Sequence, residues 1–338
     1  MRFGLIGYGA WGKHHAAALA KTPGATLAAI CCKSEATAAQ ARADFPAVPV
    51  HRDYRELLRE ARIDAVDIVV PTHLHVEIGV AALESGRDVL LEKPMALTPE
   101  GCDQLLAAAR GRVLSIGHEF RVSTQWKKVK DLIDAGEIGE PMYALVSLFR
   151  FPYRVGSERW RYTRDKVGSW ILEEPVHFFD LVMWYFERWG DPTAVLGFGN
   201  TKGLGEGMYD NFSALVRFPA GRYAVITQTI AGFEHHQVME VVGTEGSIRT
   251  WWSGVMDRTL HPTFEFKVQA RGRSACETLP LDASGEVFEL EEELKQTVAA
   301  FRERRPLLSG AEARKRIVVC LEAERSLREG REIPLRFS

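Results

Sequence analysis

Short apolar runs and helical patterns alternate through the first 120 residues. Apolar stretches over 2–6, 25–30, 65–70, 88–91 and 112–116 read as strands, and residues at helical spacing fill 11–20, 36–43, 54–60, 75–85 and 99–109. Thr98 followed by Pro99 marks the start of the last helix, with a hydroxyl at the N-cap and proline at the first helical position. Strands that alternate with helices run parallel, because each return needs a crossover, and the helices then cover both faces. Residues 1–120 are therefore expected to form one domain built on a doubly wound parallel sheet.

The texture changes after residue 120. A helix over 124–135, stopped by Gly136, leads into longer runs rich in branched and aromatic residues over 142–151, 194–199, 212–218, 223–230 and 238–242. Turns at Pro219-Ala220-Gly221 and from Gly243 to Gly246 read as hairpins. Helices over 176–187, 290–304 and 311–329 are expected to cover one face of the resulting sheet. The whole is thus an α/β chain: residues 121–338 are expected to form an α+β substrate-binding and oligomerisation domain with a large, open, mostly antiparallel sheet. The acidic stretch 289–293 reads as the solvated start of a helix, where the dipole favours negative charge.

Composition narrows the functional classes. The 338 residues suffice for two cores, with 46% apolar and 26% charged residues. A net charge of −2 removes any general electrostatic basis for binding nucleic acid or a membrane. The five cysteines are an odd number, Cys31 and Cys32 are adjacent, and no CxxC pair occurs, which fits reduced thiols better than a disulfide framework or a zinc site. No apolar run approaches a membrane span, and the chain opens on a strand rather than a signal peptide, so a soluble cytoplasmic protein is expected.

Gly7-Tyr8-Gly9-Ala10-Trp11-Gly12 fits GxGxxG between the first strand and the first helix. Glycines there permit a tight turn, close approach of backbone to a pyrophosphate, and close helix–strand packing, while the helix N-terminus supplies amide donors. An NAD enzyme usually places an acid on the ribose 2′-hydroxyl at the end of the second strand. Here the strand runs into Cys31-Cys32-Lys33-Ser34, and Lys33 and Ser34 suit a 2′-phosphate instead. NADP is therefore expected, with NAD as the alternative if Glu35 serves as the missing acid.

Oxidising an alcohol requires a base for the hydroxyl proton and a cation for the developing alkoxide. Glu92-Lys93-Pro94 follows a strand of the first domain, at the carboxyl edge where doubly wound sheets bind ligands. In the second domain, Pro175 suits a first helical position, which puts His177 in the first turn of a helix. The helix dipole favours neutral imidazole there, and an ionised Glu173 nearby would oppose it. Glu173 and His177 also have i, i+4 spacing, but without a third ligand in the pattern no metal site is expected.

Taken together these segments resemble the glucose–fructose oxidoreductase / inositol dehydrogenase / rhizopine catabolism family, Gfo/Idh/MocA. The likeness runs through Pro71-Thr72-His73-Leu74-His75, Glu92-Lys93-Pro94, Asp134-Ala135-Gly136-Glu137-Ile138-Gly139-Glu140-Pro141, a His-x-x-Asp helix at His177, Val242-Gly243-Thr244-Glu245-Gly246 and the tail Ala323-Glu324-Arg325-Ser326. The resemblance implies a Rossmann domain followed by an open-sheet domain. It implies cofactor contacts at Gly7, Tyr8, Gly9, Ala10, Trp11, Gly12, Cys32, Lys33, Ser34, Pro71, Thr72, His75, Glu92 and Lys93. Lys93 would bind the reacting oxygen, His177 would act as acid and base, and Glu173 stands where the family often has aspartate. Further candidates for a substrate wall are Arg121, Trp126, Trp160, Arg161, Glu234, His235 and His236, since guanidinium and indole groups suit the hydroxyls and C–H patches of a sugar.

The expected activity is an NAD(P)-dependent dehydrogenase or reductase moving hydride between nicotinamide and a hydroxyl or keto carbon of a sugar, glycoside or inositol. The rivals are reduction of an imine, dihydrodiol or tetrapyrrole on the same scaffold, a dinucleotide-sensing regulator without turnover, and a non-catalytic sugar-binding partner. Retention of both Lys93 and His177 argues against the sensor. A homodimer or homotetramer through the open sheet is expected, because an uncovered apolar sheet face is costly.

Overall fold

The computed structural model describes residues 1–337. They form two compact units, one of residues 1–118 with 290–317 and one of residues 119–289 with the stretch from 318 onward. In chain order the first unit holds β1 (Arg2–Ile6), α1 (Ala10–Lys21), β2 (Thr26–Cys31), α2 (Glu35–Asp44), β3 (Val50–His51), α3 (Tyr54–Glu60), β4 (Ala65–Ile68), α4 (His75–Glu84), β5 (Asp88–Glu92), α5 (Pro99–Ala108) and β6 (Leu114–Gly117). All six strands are parallel, in the order β3-β2-β1-β4-β5-β6. The order reverses direction at β1, and the loops leaving the carboxyl ends of β1 and β4 are where such a sheet binds ligands. Strand β3 escaped the pattern because two residues carry no periodicity. It exists through bonds from its neighbour, with the Ile30 and Cys32 amides donating to Pro49 and His51 carbonyls at 3.0 and 3.1 Å.

The second unit continues with α6 (Trp126–Asp134), β7 (Pro141–Phe149), α7 (Arg164–Val167), α8 (Trp170–Glu173), α9 (Pro175–Tyr185), β8 (Ala194–Asn200), β9 (Asn211–Arg217), β10 (Tyr223–Thr229), β11 (His235–Gly243), β12 (Ser247–Gly254), β13 (Thr263–Gln269), β14 (Glu277–Thr278) and, after α10 (Glu286–Arg302) and α11 (Gly310–Glu329), β15 (Ile333–Pro334). Its nine strands lie in the order β14-β13-β12-β11-β7-β10-β9-β8-β15. Neighbours are antiparallel except β7 and β10, which run parallel. Helix α9 packs on β7 and β10. Alternation therefore buries Ala144, Val146, Leu148, Ala224 and Ile226 on one face, and presents Leu145, Val225, Val238 and the exposed Tyr223 and Val242 on the other.

Two expectations change. Helix α10, expected on the antiparallel sheet, puts Leu290, Leu294, Val298 and Phe301 into the core of the first unit with Phe3, Leu5, Leu19 and Leu90. Burying each such side chain is worth about 2 kcal/mol, which outweighs continuity in sequence. Residues 121–338 are accordingly not one continuous unit. The second half of α11 does lie on the second sheet, where Ser326 Oγ accepts from the Gly197 amide at 2.8 Å. The acidic stretch is also not all solvated: Glu289 and Glu293 are buried, on the same side of α10 as the leucines. Among the described residues no helix is long and apolar enough to cross a membrane.

Candidate active site

In the first unit the chemistry gathers at the carboxyl ends of β1, β2, β4 and β5. Gly7 has φ +109°, and a Cβ on it would stand 2.0 Å from the Val69 carbonyl oxygen. A Cβ on Gly12 would stand 2.1 Å from the Gly7 carbonyl oxygen. Both glycines are thus required by backbone packing. Gly9 differs, because a Cβ there meets nothing within 4 Å. It caps α1 without any side-chain bond, and the first turn carries no acid, so this helix end is open and favourable to an anion. The donor set fits a dinucleotide pyrophosphate. Ala10 opens α1 beside this space. Tyr8 is buried and donates to Asp44 at 2.7 Å, so its side chain belongs to the core rather than to the cradle.

At the end of β2 the Cys32 side chain is buried and Lys33 is exposed. Ser34 caps α2 by accepting from the Thr37 amide at 3.1 Å. Sequence reasoning missed Arg52, just past β3, whose guanidinium donates to the Lys33 carbonyl and to Glu35. Glu35 also accepts from Arg42 at 2.9 Å. Glu35 is therefore committed to two arginines. These two hydrogen-bonded arginines hold its carboxyl below the usual range.

Glu92 and Lys93 leave the end of β5. The Glu92 carboxylate accepts from Trp11 Nε1 at 2.9 Å and from the Lys93 amide at 3.2 Å, tying the helix of the phosphate loop to the lysine turn. His75 bridges the same region, with Nδ1 at 2.8 Å from the Pro94 carbonyl and Nε2 at 2.9 Å from that of Val70. Thr72 is buried beside it and Pro71 half-buried. His75 thus fastens this loop rather than presenting a free imidazole to a ligand.

In the second unit His177 lies in the first turn of α9, after Pro175 at its start, and is 2% exposed. Its ring stacks on Phe120 at 4.6 Å between centroids, and Nε2 is 3.6 Å from Glu119 Oε1. Neither Glu119 nor Phe120 was singled out from the sequence. The short turn that carries them continues to Arg121, which forms a two-point pair with Asp180 at 2.8 and 2.7 Å and lies over Trp184. One turn is thereby docked along one side of α9. Glu173 is buried and accepts from Arg161, whose guanidinium stacks on Trp160 at 4.3 Å.

The other wall candidates separate. Trp126 is 2% exposed and packs on Phe120, so it is a core side chain with no surface to offer. Strand alternation sends His235 and His236 to opposite faces of the sheet. His235 faces the buried side, with Nε2 at 2.9 Å from Gln237 and 3.4 Å from Glu174, and burial assisted by Arg150 pushes it down to about 3, so it is neutral. His236 lies against Trp251 on the other face, and Glu234 is exposed at φ +80°. Beside His235, the buried Glu174 pairs with the buried Arg150, which also approaches the half-buried Asp257, and the pattern of the sequence did not reveal this grouping.

Comparison with known proteins agrees with this layout. Residues 1–118 match the family description "Oxidoreductase family, NAD-binding Rossmann fold", and residues 126–249 match "GFO/IDH/MocA C-terminal domain". The chain is 32% identical over 251 residues to the uncharacterized oxidoreductase YdgJ of Escherichia coli (strain K12), covering 73% of this chain and 70% of that one. It is 33% identical over 199 residues to 1,5-anhydro-D-fructose reductase of Ensifer adhaerens, covering 57% and 58%. In fold it is similar to the aldose-aldose oxidoreductase of Caulobacter crescentus, solved with glycerol, at TM-score 0.84 and 18% identity over 99% of each chain. With both family descriptions matched in order, and a relative above 30% identity over most of its length, the chain belongs to the Gfo/Idh/MocA family of dinucleotide-dependent oxidoreductases.

Proposed function

We propose that the enzyme is an NADP-linked dehydrogenase or reductase acting on a hydroxyl or keto carbon of a sugar, glycoside or inositol. The observation that carries this reading is His177, a buried imidazole fixed on Phe120 with the Glu119 carboxylate 3.6 Å from Nε2. A histidine so held is suited to exchanging one proton with a substrate oxygen. When bound, the dinucleotide supplies the site that accepts or donates hydride. Lys93 binds the reacting oxygen as a cation and offsets the charge of the alkoxide, and His177 takes or returns its proton. Glu119 and Glu173 orient the histidine and the Arg161 guanidinium respectively. The reductase of Ensifer adhaerens, named for a sugar derivative, supports a polyhydroxylated substrate.

Preference for the phosphorylated cofactor is supported at the end of β2, where Lys33 and Arg52 supply positive charge and Glu35 is already paired. Assembly with a second copy of the chain through the open face of the nine-stranded sheet is supported by Tyr143 and Tyr223, 5.0 Å apart between centroids, and by the exposed Val242 beside them. Mass measurement in solution tests this, and a monomer at micromolar concentration overturns it.

The decisive experiment is a screen of aldoses, glycosides and inositols for NADPH formation, and of the matching ketones for its consumption. It is followed by His177→Ala on any active substrate. Loss of about 10²-fold or more in kcat/KM with dinucleotide affinity retained is expected for a proton-transfer group. A variant that keeps its activity and only melts earlier makes His177 a core residue and refutes the assignment.

A further inference from the structure

Beneath the phosphate loop of the first unit lies a buried cluster of ionisable groups that phosphate binding does not require. His15 of α1 is fully buried between Asp67 of β4 and Glu92 of β5. Its Nδ1 is 2.8 Å from Asp67 Oδ2 and its Nε2 is 3.1 Å from Glu92 Oε1. Both partners are carboxylate oxygens, which only accept, while a neutral imidazole carries a single N–H. With both carboxyls ionised, satisfying both contacts requires the imidazolium. Glu92 is the same residue that accepts from Trp11 in the first turn of α1 and from the Lys93 amide.

We propose that His15 is a positioning residue held permanently as a cation, which keeps Glu92 ionised so that one carboxylate fastens both the phosphate-loop helix and the Lys93 turn. The inference rests on the role given to Lys93 above. The groups facing the cluster agree with it. Burial alone pushes His15 down, but Asp67 and Glu92 outweigh it and bring it up to about 10. Burial pushes Glu92 up, and the His15 bond and charge, with Lys93 adding, outweigh that and bring it down to about 2. From α10, Glu293 faces both carboxylates, and burial together with the charge of Glu92 drives it well above the usual carboxylate range. Its Oε2 has no hydrogen-bond partner. The cluster thus holds one cation, two carboxylates and one neutral acid. His15 loses its proton only as pH rises through about 10, and Glu92 gains one only as pH falls to about 2, so the His15–Glu92 ion pair persists between.

The mechanism predicts what happens when the cation is removed without stranding both acids. In His15→Gln/Asp67→Asn one cation and one carboxylate leave together, and burial then drives Glu92 towards its neutral form. A neutral Glu92 holds the Lys93 turn less firmly, and misplacement on the scale of an ångström costs about ten- to hundredfold in turnover. Relative to the unmodified enzyme at the same pH, turnover of this double variant should therefore fall at neutral pH and recover as pH rises and Glu92 ionises.

The test has three arms. In protein carrying 15N-labelled histidine, the resonance lost in His15→Gln should show both ring nitrogens protonated at about pH 8.5, where an ordinary histidine is neutral. A neutral ring there overturns the proposal without reference to activity. Turnover lost in Lys93→Ala but equal to that of the unmodified enzyme at every pH in the double variant overturns the His15 role alone. Turnover retained in Lys93→Ala overturns the reading of Lys93 and the positioning role with it. A pH-dependent loss in the double variant, with Lys93→Ala inactive, is the expected result.

Discussion

The three glycines of the phosphate loop make separable contributions, and replacing them one at a time by alanine distinguishes folding from binding. Gly9 sits at φ −78° and ψ −166°, a conformation alanine adopts freely, and its Cβ would meet no atom within 4 Å. Gly9→Ala should therefore cost about 1 kcal/mol or less, the price of alanine at an N-cap. In the proposed site the new methyl instead stands in the space left for a pyrophosphate. Displacing it by even one charge-assisted amide bond forfeits about 1.5–3 kcal/mol, about ten- to hundredfold in Kd. Gly12→Ala behaves differently, because its Cβ would lie 2.1 Å from a backbone oxygen that no rotamer change relieves. That substitution should cost about 1–3 kcal/mol of stability as well as affinity. Thermal unfolding of the apoprotein and calorimetric titration with NADPH give both quantities for each variant. If Gly9→Ala binds the dinucleotide as tightly as the parent, the open face over Gly9 is not the pyrophosphate seat. If Gly12→Ala is as stable as the parent, the packing argument fails.

Three further outcomes are expected. The parent should bind NADPH more tightly than NADH, and Lys33→Asp should erase or reverse that preference; equal affinities in the parent would remove the role given to Lys33 and Ser34 as 2′-phosphate ligands. Burial raises Glu289 to about 7, against the help of Ser123 and Ser284, so its folded form favours the proton and its contribution to stability is lost as pH rises from the ordinary value of 4.5 through about 7. At about 1.4 kcal/mol per unit the cost above pH 7 is about 3 kcal/mol, so Glu289→Gln, which can still accept from Ser284 and Gly285, should raise the melting temperature at pH 8 and leave it nearly unchanged at pH 4. An equal fall at both pH values would show that the carboxylate itself is needed. Activity should survive exhaustive chelation, and loss reversed by zinc would contradict proton transfer by His177.

What the sequence determined by itself is what depends on neighbours along the chain. The strand–glycine–helix unit at Gly7 to Gly12, the cap at Thr98 and the placing of His177 in a first turn by Pro175 are all short-range consequences of residue type. Alternation would even have separated His235 from His236, had it been applied to them. Tertiary structure decided the rest, because the partners are far apart in sequence. Glu119 and Phe120 meet His177 only when the turn after β6 docks along α9. His15 meets Asp67 and Glu92 only because β4 and β5 lie side by side under α1. Glu293 looks like one more solvated acid of a helix start until the leucine stripe beside it is drawn into the first core. A charge pattern along a helix is read correctly only once it is known which face the apolar residues bury, and burial is a property of the packed chain.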